Sequence, residues 1–167
     1  MAIGEDFRIA AAALELPCRV RSTSKAKHVR NREERNCDRQ AHQQPRGPCP
    51  GGAYSQAIAV NGFLYTSGMA PIDSAAGDVV SDDISEQTNQ VMQNLQQLLK
   101  VESLDFSDLV KATVHLQDVR RDFASFNNAY ESYFTDGLPV RTTVGSTLLN
   151  ILVEIDFVAA YPGGDST

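Results

Sequence analysis

The chain of 167 residues contains no tryptophan, and its three cysteines, Cys18, Cys37 and Cys49, all precede residue 50. From residue 51 onward the chain therefore has no internal disulfide bond and no cysteine nucleophile. The cysteines are separated by 18 and 11 residues, which matches no C-x₂-C unit of a zinc site. The sequence predicts neither a metal site nor cysteine chemistry.

Long apolar runs are also missing. No stretch of 18 consecutive apolar residues occurs, so the sequence predicts no membrane-spanning helix and no membrane partner. The short apolar run at residues 9–16 lacks the basic flank and the length of a secretory signal. We therefore expect a cytoplasmic protein.

Positive charge is scarce in the second part of the chain. Residues 51–167 hold five Lys and Arg against 15 Asp and Glu, a net charge of 5 − 15 = −10. A nucleic-acid partner needs basic residues that neutralise its phosphates, so none is predicted for this region. Arg141 is conspicuous for the same reason, because it stands within the strand-like run 139–144.

Residues 1–50 have a different composition. They hold ten basic and six acidic residues, a net charge of 10 − 6 = +4, and Val20 and Val29 are the only branched aliphatic residues between positions 19 and 50. Such a segment buries too little apolar surface to order itself, so residues 22–44 are predicted to be disordered. The alternatives are a nucleic-acid-binding arm, sequence translated upstream of the true start, and a targeting segment that would make the protein mitochondrial. Transit peptides are poor in acidic residues, which disfavours targeting.

Hydrophobic periodicity predicts an α+β domain. Asn61-Gly62 between two apolar runs is a strong hairpin signal, and Asp83 with Glu86 has the pattern of a capping box before an amphipathic helix. The order of elements indicates a sandwich with helices on one face of a sheet. The predicted strands are 54–60, 63–67 and 109–116, the predicted helices are 84–100 and 123–134, and the expected divisions are an extension at 1–50, a domain at 51–162 and a tail at 163–167.

The last two apolar runs, 139–144 and 153–158, alternate as strands and are separated by a short turn-capable stretch. They predict a β-hairpin whose register places Arg141, Thr143, Glu154 and Asp156 on one face. Arg141 and Glu154 would then have Cα atoms within roughly 8 Å of each other. The alternative interpretation is a cross-strand ion pair on a solvated surface, which would have no function.

Several short segments occur in a characteristic order along residues 51–160. They are Gly52-Ala53-Tyr54-Ser55-Gln56-Ala57, Leu64-Tyr65-Thr66-Ser67-Gly68, Glu86-Gln87-Thr88 with Asn94-Leu95, Asp108-Leu109-Val110-Lys111-Ala112-Thr113-Val114, Phe126-Asn127-Asn128-Ala129-Tyr130, Pro139-Val140-Arg141-Thr142-Thr143-Val144 and Val153-Glu154-Ile155. This set resembles the RidA/YjgF family of reactive-intermediate (enamine/imine) deaminases. The resemblance implies a chorismate mutase-like fold, a mixed sheet with two helices packed on one face, and a homotrimer whose clefts lie between subunits.

The resemblance also implies roles for particular residues. Arg141 matches the family's arginine that binds the substrate carboxylate, and Glu154 matches the glutamate that orients the attacking water, in a reaction without metal or organic cofactor. A neighbouring arginine would keep Glu154 ionised, so that it can accept a proton. The residues that the resemblance assigns to substrate binding are Tyr54, Ser67, Gly68, Asn127 and Thr143. Their alternative roles are structural: a tyrosine packed in the sheet, a strand end, and a link between helix and strand.

This chain departs from the family pattern at three places. Met69 replaces the usual glutamine, Thr143 replaces a frequent cysteine, and the turn at 145–151 is about two residues shorter. The resemblance implies hydrolysis of a small 2-imino or enamine carboxylate, and the changed turn favours the alternative of a larger imine from a biosynthetic or catabolic pathway. A third hypothesis is a non-catalytic trimer that binds a small carboxylate.

Overall fold

The structure is a computed structural model that describes residues 52–135 and 137–163, together with the backbone of residues 40–42. The strands are β1 (Gln40–His42), β2 (Ala57–Val60), β3 (Phe63–Thr66), β4 (Leu109–Leu116), β5 (Val140–Gly145) and β6 (Val153–Ala160). The helices are α1 (Ile84–Val101) and α2 (Val119–Glu131), and a short 3₁₀ helix spans Phe106–Asp108.

One mixed sheet contains the six strands in the order β1-β2-β3-β6-β4-β5. Neighbouring strands are antiparallel except β4 and β5, which run parallel. We call the side that packs against α1 and α2 the core face and the other side the open face. On β6 the core-face residues are buried, namely Val153, Ile155, Phe157 and Ala159. The predicted α+β sandwich with helices on one face is confirmed.

Helix α1 begins at a side-chain cap. The Asp83 carboxylate accepts hydrogen bonds from the backbone N–H groups of Ser85 and Glu86 at 2.8 and 2.9 Å, which satisfies two of the free donors at the helix start. Its buried residues, such as Val91 and Leu95, recur at helical spacing and face the sheet. The predicted helix 84–100 is therefore confirmed to within one residue. No helix among the described residues is long and apolar enough to cross a membrane.

The predicted hairpin between residues 139–144 and 153–158 is wrong. β5 pairs in parallel with one side of β4, and β6 pairs antiparallel with the other side. The cause is α2, which carries the chain from the end of β4 back to the start of β5 in a β-α-β crossover. The strand that follows in sequence is therefore not the neighbour in the sheet.

The predicted shared face is also wrong. Arg141 is level with the buried Ala112, so it lies on the core face together with Thr143. Glu154 and Asp156 lie on the open face, because they alternate with buried residues of β6. The prediction assumed that the apolar residues of β5 face the core. β5 is an edge strand, and its apolar residues Val140 and Val144 instead lie on the open face, where they are 67% and 38% exposed.

Strand β1 lies within the segment predicted to be disordered. Its backbone pairs antiparallel with β2, with Gln40 level with Ala59 and His42 level with Ala57. The prediction of disorder therefore does not hold for these three residues. The rest of that segment, and the C-terminal residues 164–167, lie outside the described residues, so the division at residue 50 stays a prediction.

Candidate functional site

Arg141 on β5 lies against helix α2. Its Nη2 donates a hydrogen bond of 2.7 Å to Oδ1 of Asn127. Its Cζ atom lies 4.8, 5.4 and 5.8 Å from the ring centres of Tyr130, Phe126 and Phe123. An amide oxygen and the faces of three rings thus hold the guanidinium group, through a hydrogen bond and cation–π contacts.

Helical periodicity explains why one helix supplies all these contacts. Residues 123, 126, 127 and 130 are spaced i, i+3, i+4 and i+7, so they form one stripe along α2. Glu131 lies one turn beyond Asn127 and accepts a hydrogen bond of 3.2 Å from Asn127 Nδ2, which turns the amide oxygen toward Arg141. Sequence reasoning predicted Asn127 and missed the three aromatic residues, although their spacing was the signal that could have found them.

Two buried hydroxyl groups on this side of the sheet have no hydrogen-bond partner among the described residues: Tyr130 Oη and Thr143 Oγ1. Burial raises the pKa of Tyr130 to about 12, and the nearby charge of Arg141 opposes this shift only in part. Tyr130 is therefore neutral at ordinary pH. Thr143 follows Arg141 by two residues, so its hydroxyl lies on the same face of β5 as the guanidinium group.

Glu154 lies on the open face of β6 and its carboxylate covers Gly68. A side-chain carbon placed on Gly68 would be only 2.3 Å from Glu154 Oε1. The two residues meet because the chain after β3 is hydrogen-bonded to β6: the N–H of Met69 donates to the carbonyl of Ile155 at 2.8 Å. Two predicted site residues are thus brought into contact.

Tyr54 and Ser67 line a cleft of about 620 Å³ on the open face, and Ser67 directly precedes Gly68. Ile58 and Tyr65 also line this cleft, and they are cross-strand partners on β2 and β3. The sequence-based site did not include these two residues. An alternating strand pattern shows which residues share a face, but it does not show that the open face forms a cleft.

The predicted site residues therefore form two groups. The arginine group is Asn127, Arg141 and Thr143, and the glutamate group is Tyr54, Ser67, Gly68 and Glu154. Strand β4 lies between β5 and β6, so two strand spacings and three residues along the strand separate the Cα atoms of Arg141 and Glu154, roughly 14 Å in all. The predicted distance of roughly 8 Å is wrong. The two side chains also point to opposite faces, so Arg141 and Glu154 do not meet within one chain.

His115 is the cross-strand partner of Glu154 on β4. Its Nδ1 lies 2.7 Å from Oγ of Ser146, which directly follows β5, so the ring leans toward β5 and away from β6. The hydrogen bond of the His115 ring is therefore made to Ser146 and not to Glu154. Within the described part of the chain, no group of three or more His, Cys, Asp or Glu is suited to hold a metal ion.

Comparisons with known proteins agree with these observations. Residues 45–161 match the family model described as Endoribonuclease L-PSP. The chain belongs to this family. Its members include the Rid proteins, so the resemblance that the sequence motifs indicated is confirmed.

Three L-PSP relatives show how far the similarity extends. A RutC family protein of Pyrococcus horikoshii is 40% identical over 114 residues, which cover 67% of this chain and 90% of that protein. The 2-iminobutanoate/2-iminopropanoate deaminase of Rattus norvegicus is 35% identical over 116 residues, covering 68% of this chain and 84% of that protein. A crystal structure of a member of the conserved Rid protein family from Yersinia pestis has a TM-score of 0.69 and 34% identity, covering 73% of this chain and 98% of that one.

Proposed function

We propose that this protein hydrolyses 2-imino or enamine carboxylates to 2-oxo acids and ammonia, without a metal or organic cofactor. The observation that carries the proposal is the state of Arg141: an amide and three rings hold its guanidinium, which makes no ion pair with any described carboxylate. A held cation that makes no ion pair with the described carboxylates is suited to an anionic ligand, and its planar fork favours a carboxylate. The rat relative's name describes a deaminase of such imino acids.

In the proposed reaction Arg141 binds the carboxylate and Glu154 takes a proton from a water molecule. The water oxygen bonds to the imine carbon while the π electron pair of the C=N bond moves to nitrogen. The nitrogen receives the proton from Glu154. Glu154 then carries the proton of the new hydroxyl group to the amine as the C–N bond breaks. Ammonia leaves, the C=O bond forms, and Glu154 ends ionised as it began.

We infer that the arginine group of one copy meets the glutamate group of the next copy in a closed homotrimer. The separation of the two groups within a single chain supports a shared site. Apolar side chains on the open face support it as well, because a monomer leaves them in water: Phe63, Tyr65, Val140 and Val144 are between 37% and 67% exposed.

Mixing two inactive variants tests the shared site. Arg141→Ala and Glu154→Gln each remove one group, so each homotrimer should be inactive. After co-expression in equal amounts, about three quarters of the trimers are mixed, and each has one intact site in three, so about a quarter of wild-type activity should return. Mass photometry should show a trimer throughout. No recovered activity in confirmed mixed oligomers, or a monomeric wild type, contradicts the shared site.

The rings of Tyr54 and Tyr65 in the open-face cleft favour a specialised substrate as a second candidate, because they would pack against an imino acid that has a large apolar side chain. In this version the same two residues, Arg141 and Glu154, perform the same chemistry on an imine with a large apolar side chain.

The test of function is ammonia and oxo-acid release from imines that an amino-acid oxidase generates in the same vessel. We expect faster release with the wild type than with Arg141→Ala, since the variant cannot hold the carboxylate. Comparing the rate of release from the imines of alanine and 2-aminobutanoate with the rate from those of leucine and phenylalanine decides whether the substrate is small or large. Equal release with wild type and variant on every imine contradicts the proposal.

The family description does not lead us to propose a ribonuclease. Residues 51–167 carry 15 acidic and five basic residues, and binding a polyanion depends on basic residues at its phosphates. The compartment stays a prediction, with the cytoplasm expected and an organelle as the alternative.

A further inference from the structure

The contact between Gly68 and Glu154 is closer than any side chain on residue 68 would permit. An added Cβ atom would lie 2.3 Å from Oε1, 2.6 Å from Cδ and 2.9 Å from Cγ of Glu154. Carbon atoms in folded proteins do not approach at such distances without repulsion. One of the two residues would have to move if Gly68 carried a side chain.

The backbone around Gly68 is not free to move. On one side the N–H of Ser67 donates to the carbonyl of Gln56 at 2.8 Å. On the other side Met69 and Ile155 exchange two backbone hydrogen bonds of 2.8 and 3.3 Å, and the Met69 side chain is buried. The side chain of Glu154 is flexible by comparison, so its carboxylate would be displaced.

Gly68 does not need to be glycine for its own conformation. Its φ angle lies outside the left-handed region, in contrast to Gly62 at the β2–β3 turn, whose φ is 77°. An L-residue could therefore adopt its backbone angles without strain. The requirement for glycine comes from the neighbouring carboxylate.

We propose that Gly68 is a positioning residue for Glu154, an inference that rests on the proposed function. Because residue 68 has no side chain, the Glu154 carboxylate lies over the backbone at the end of β3, beside the cleft lined by Tyr54 and Ser67. This placement sets the point from which Glu154 takes a proton from water.

The substitution Gly68→Ala should lower kcat roughly 10- to 100-fold, since a misplacement of a catalytic group by about 1 Å has effects of this size. KM should change little, because binding of the substrate carboxylate depends on Arg141. Gly145→Ala is the matched control: it also adds one methyl group to a strand glycine, and its Cβ would meet Val119 at 3.3 Å rather than a catalytic group. The control should change kcat less than about threefold.

Shortening Glu154 separates positioning from a general loss of structure. Glu154→Asp withdraws the carboxylate from residue 68, so adding Gly68→Ala to this variant should cost less than about threefold, far below its cost in the wild type. Equal costs in the two backgrounds, or no cost in the wild type, overturn the proposal.

A spectroscopic measurement keeps this inference distinct from the proposed function. The ¹³C carboxyl resonance of Glu154, identified by its loss in Glu154→Gln, should shift in Gly68→Ala and stay in place in Gly145→Ala. If the wild type hydrolyses no imine but the resonance shifts, the proposed function fails and the placement of Glu154 by Gly68 stands. An unshifted resonance overturns the placement whether or not the protein is active.

Discussion

Replacing Glu154 with glutamine should lower kcat about 100-fold or more and leave the affinity for a carboxylate ligand nearly unchanged. The amide keeps the size and shape of the carboxyl group, but it cannot take a proton from water. Ligand affinity should depend mainly on Arg141, which binds the carboxylate, and the glutamine side chain fills the same space as the carboxyl group that it replaces. Single-turnover kinetics and calorimetry with a 2-oxo acid measure the two effects separately.

Asp156→Asn is the matched control for this substitution. Asp156 lies two residues along β6 on the same open face, and it also loses one negative charge. It should change kcat less than about threefold, since Asp156 is half-buried but lies outside both groups of candidate residues. If Glu154→Gln hydrolyses imines as fast as the wild type, Glu154 is structural, and a carboxylate-binding trimer becomes the better description.

Replacing Arg141 with lysine should lower kcat/KM roughly 10- to 100-fold and raise KM, although the positive charge is kept. Lysine cannot make two parallel hydrogen bonds to a carboxylate, and each charge-assisted bond contributes about 1.5–3 kcal/mol. Lysine also lacks the planar guanidinium group that stacks on the rings of Tyr130 and Phe126. The expected result is weaker binding of both substrate and 2-oxo acid, measured by steady-state kinetics and calorimetry.

Arg120→Lys controls for the loss of a guanidinium group elsewhere. Arg120 is exposed in the first turn of α2, and the structure places it outside both groups of candidate residues. It should leave kcat and KM close to the wild-type values. If Arg141→Lys binds the 2-oxo acid as tightly as the wild type does, Arg141 does not hold the carboxylate, and the proposed function loses the observation that carries it.

Local pattern was sufficient for most elements of the fold. The Asn61-Gly62 turn, the Asp83 cap and the alternation over β4 and β6 each depend on neighbours within a few residues. Such features are encoded by backbone conformational preference and by the periods of helix and strand. The sequence therefore predicted these elements and the α+β class, and its ordered motifs identified the family.

Pairing between distant strands was decided by tertiary structure. Nothing in the segment 139–158 shows that β4 lies between the strands of Arg141 and Glu154, because that arrangement depends on how α2 packs on the sheet. Because the pairing was predicted wrongly, Arg141 was assigned to the wrong face of the sheet. An edge strand has no neighbour on its outer side, so burial there does not fix its register.

The sequence by itself determined which residues are candidates for the proposed chemistry: an arginine in an acidic domain, and a glutamate in a strand with a buried alternate face. Tertiary structure alone decided how they are arranged, with Arg141 held by a stripe of α2 and Glu154 laid over Gly68 on the opposite face. The physical reason is the distance along the sequence over which each kind of interaction acts. Propensity and periodicity act over a few residues, whereas these contacts join residues 14 and 86 positions apart and form only when the sheet and helices pack.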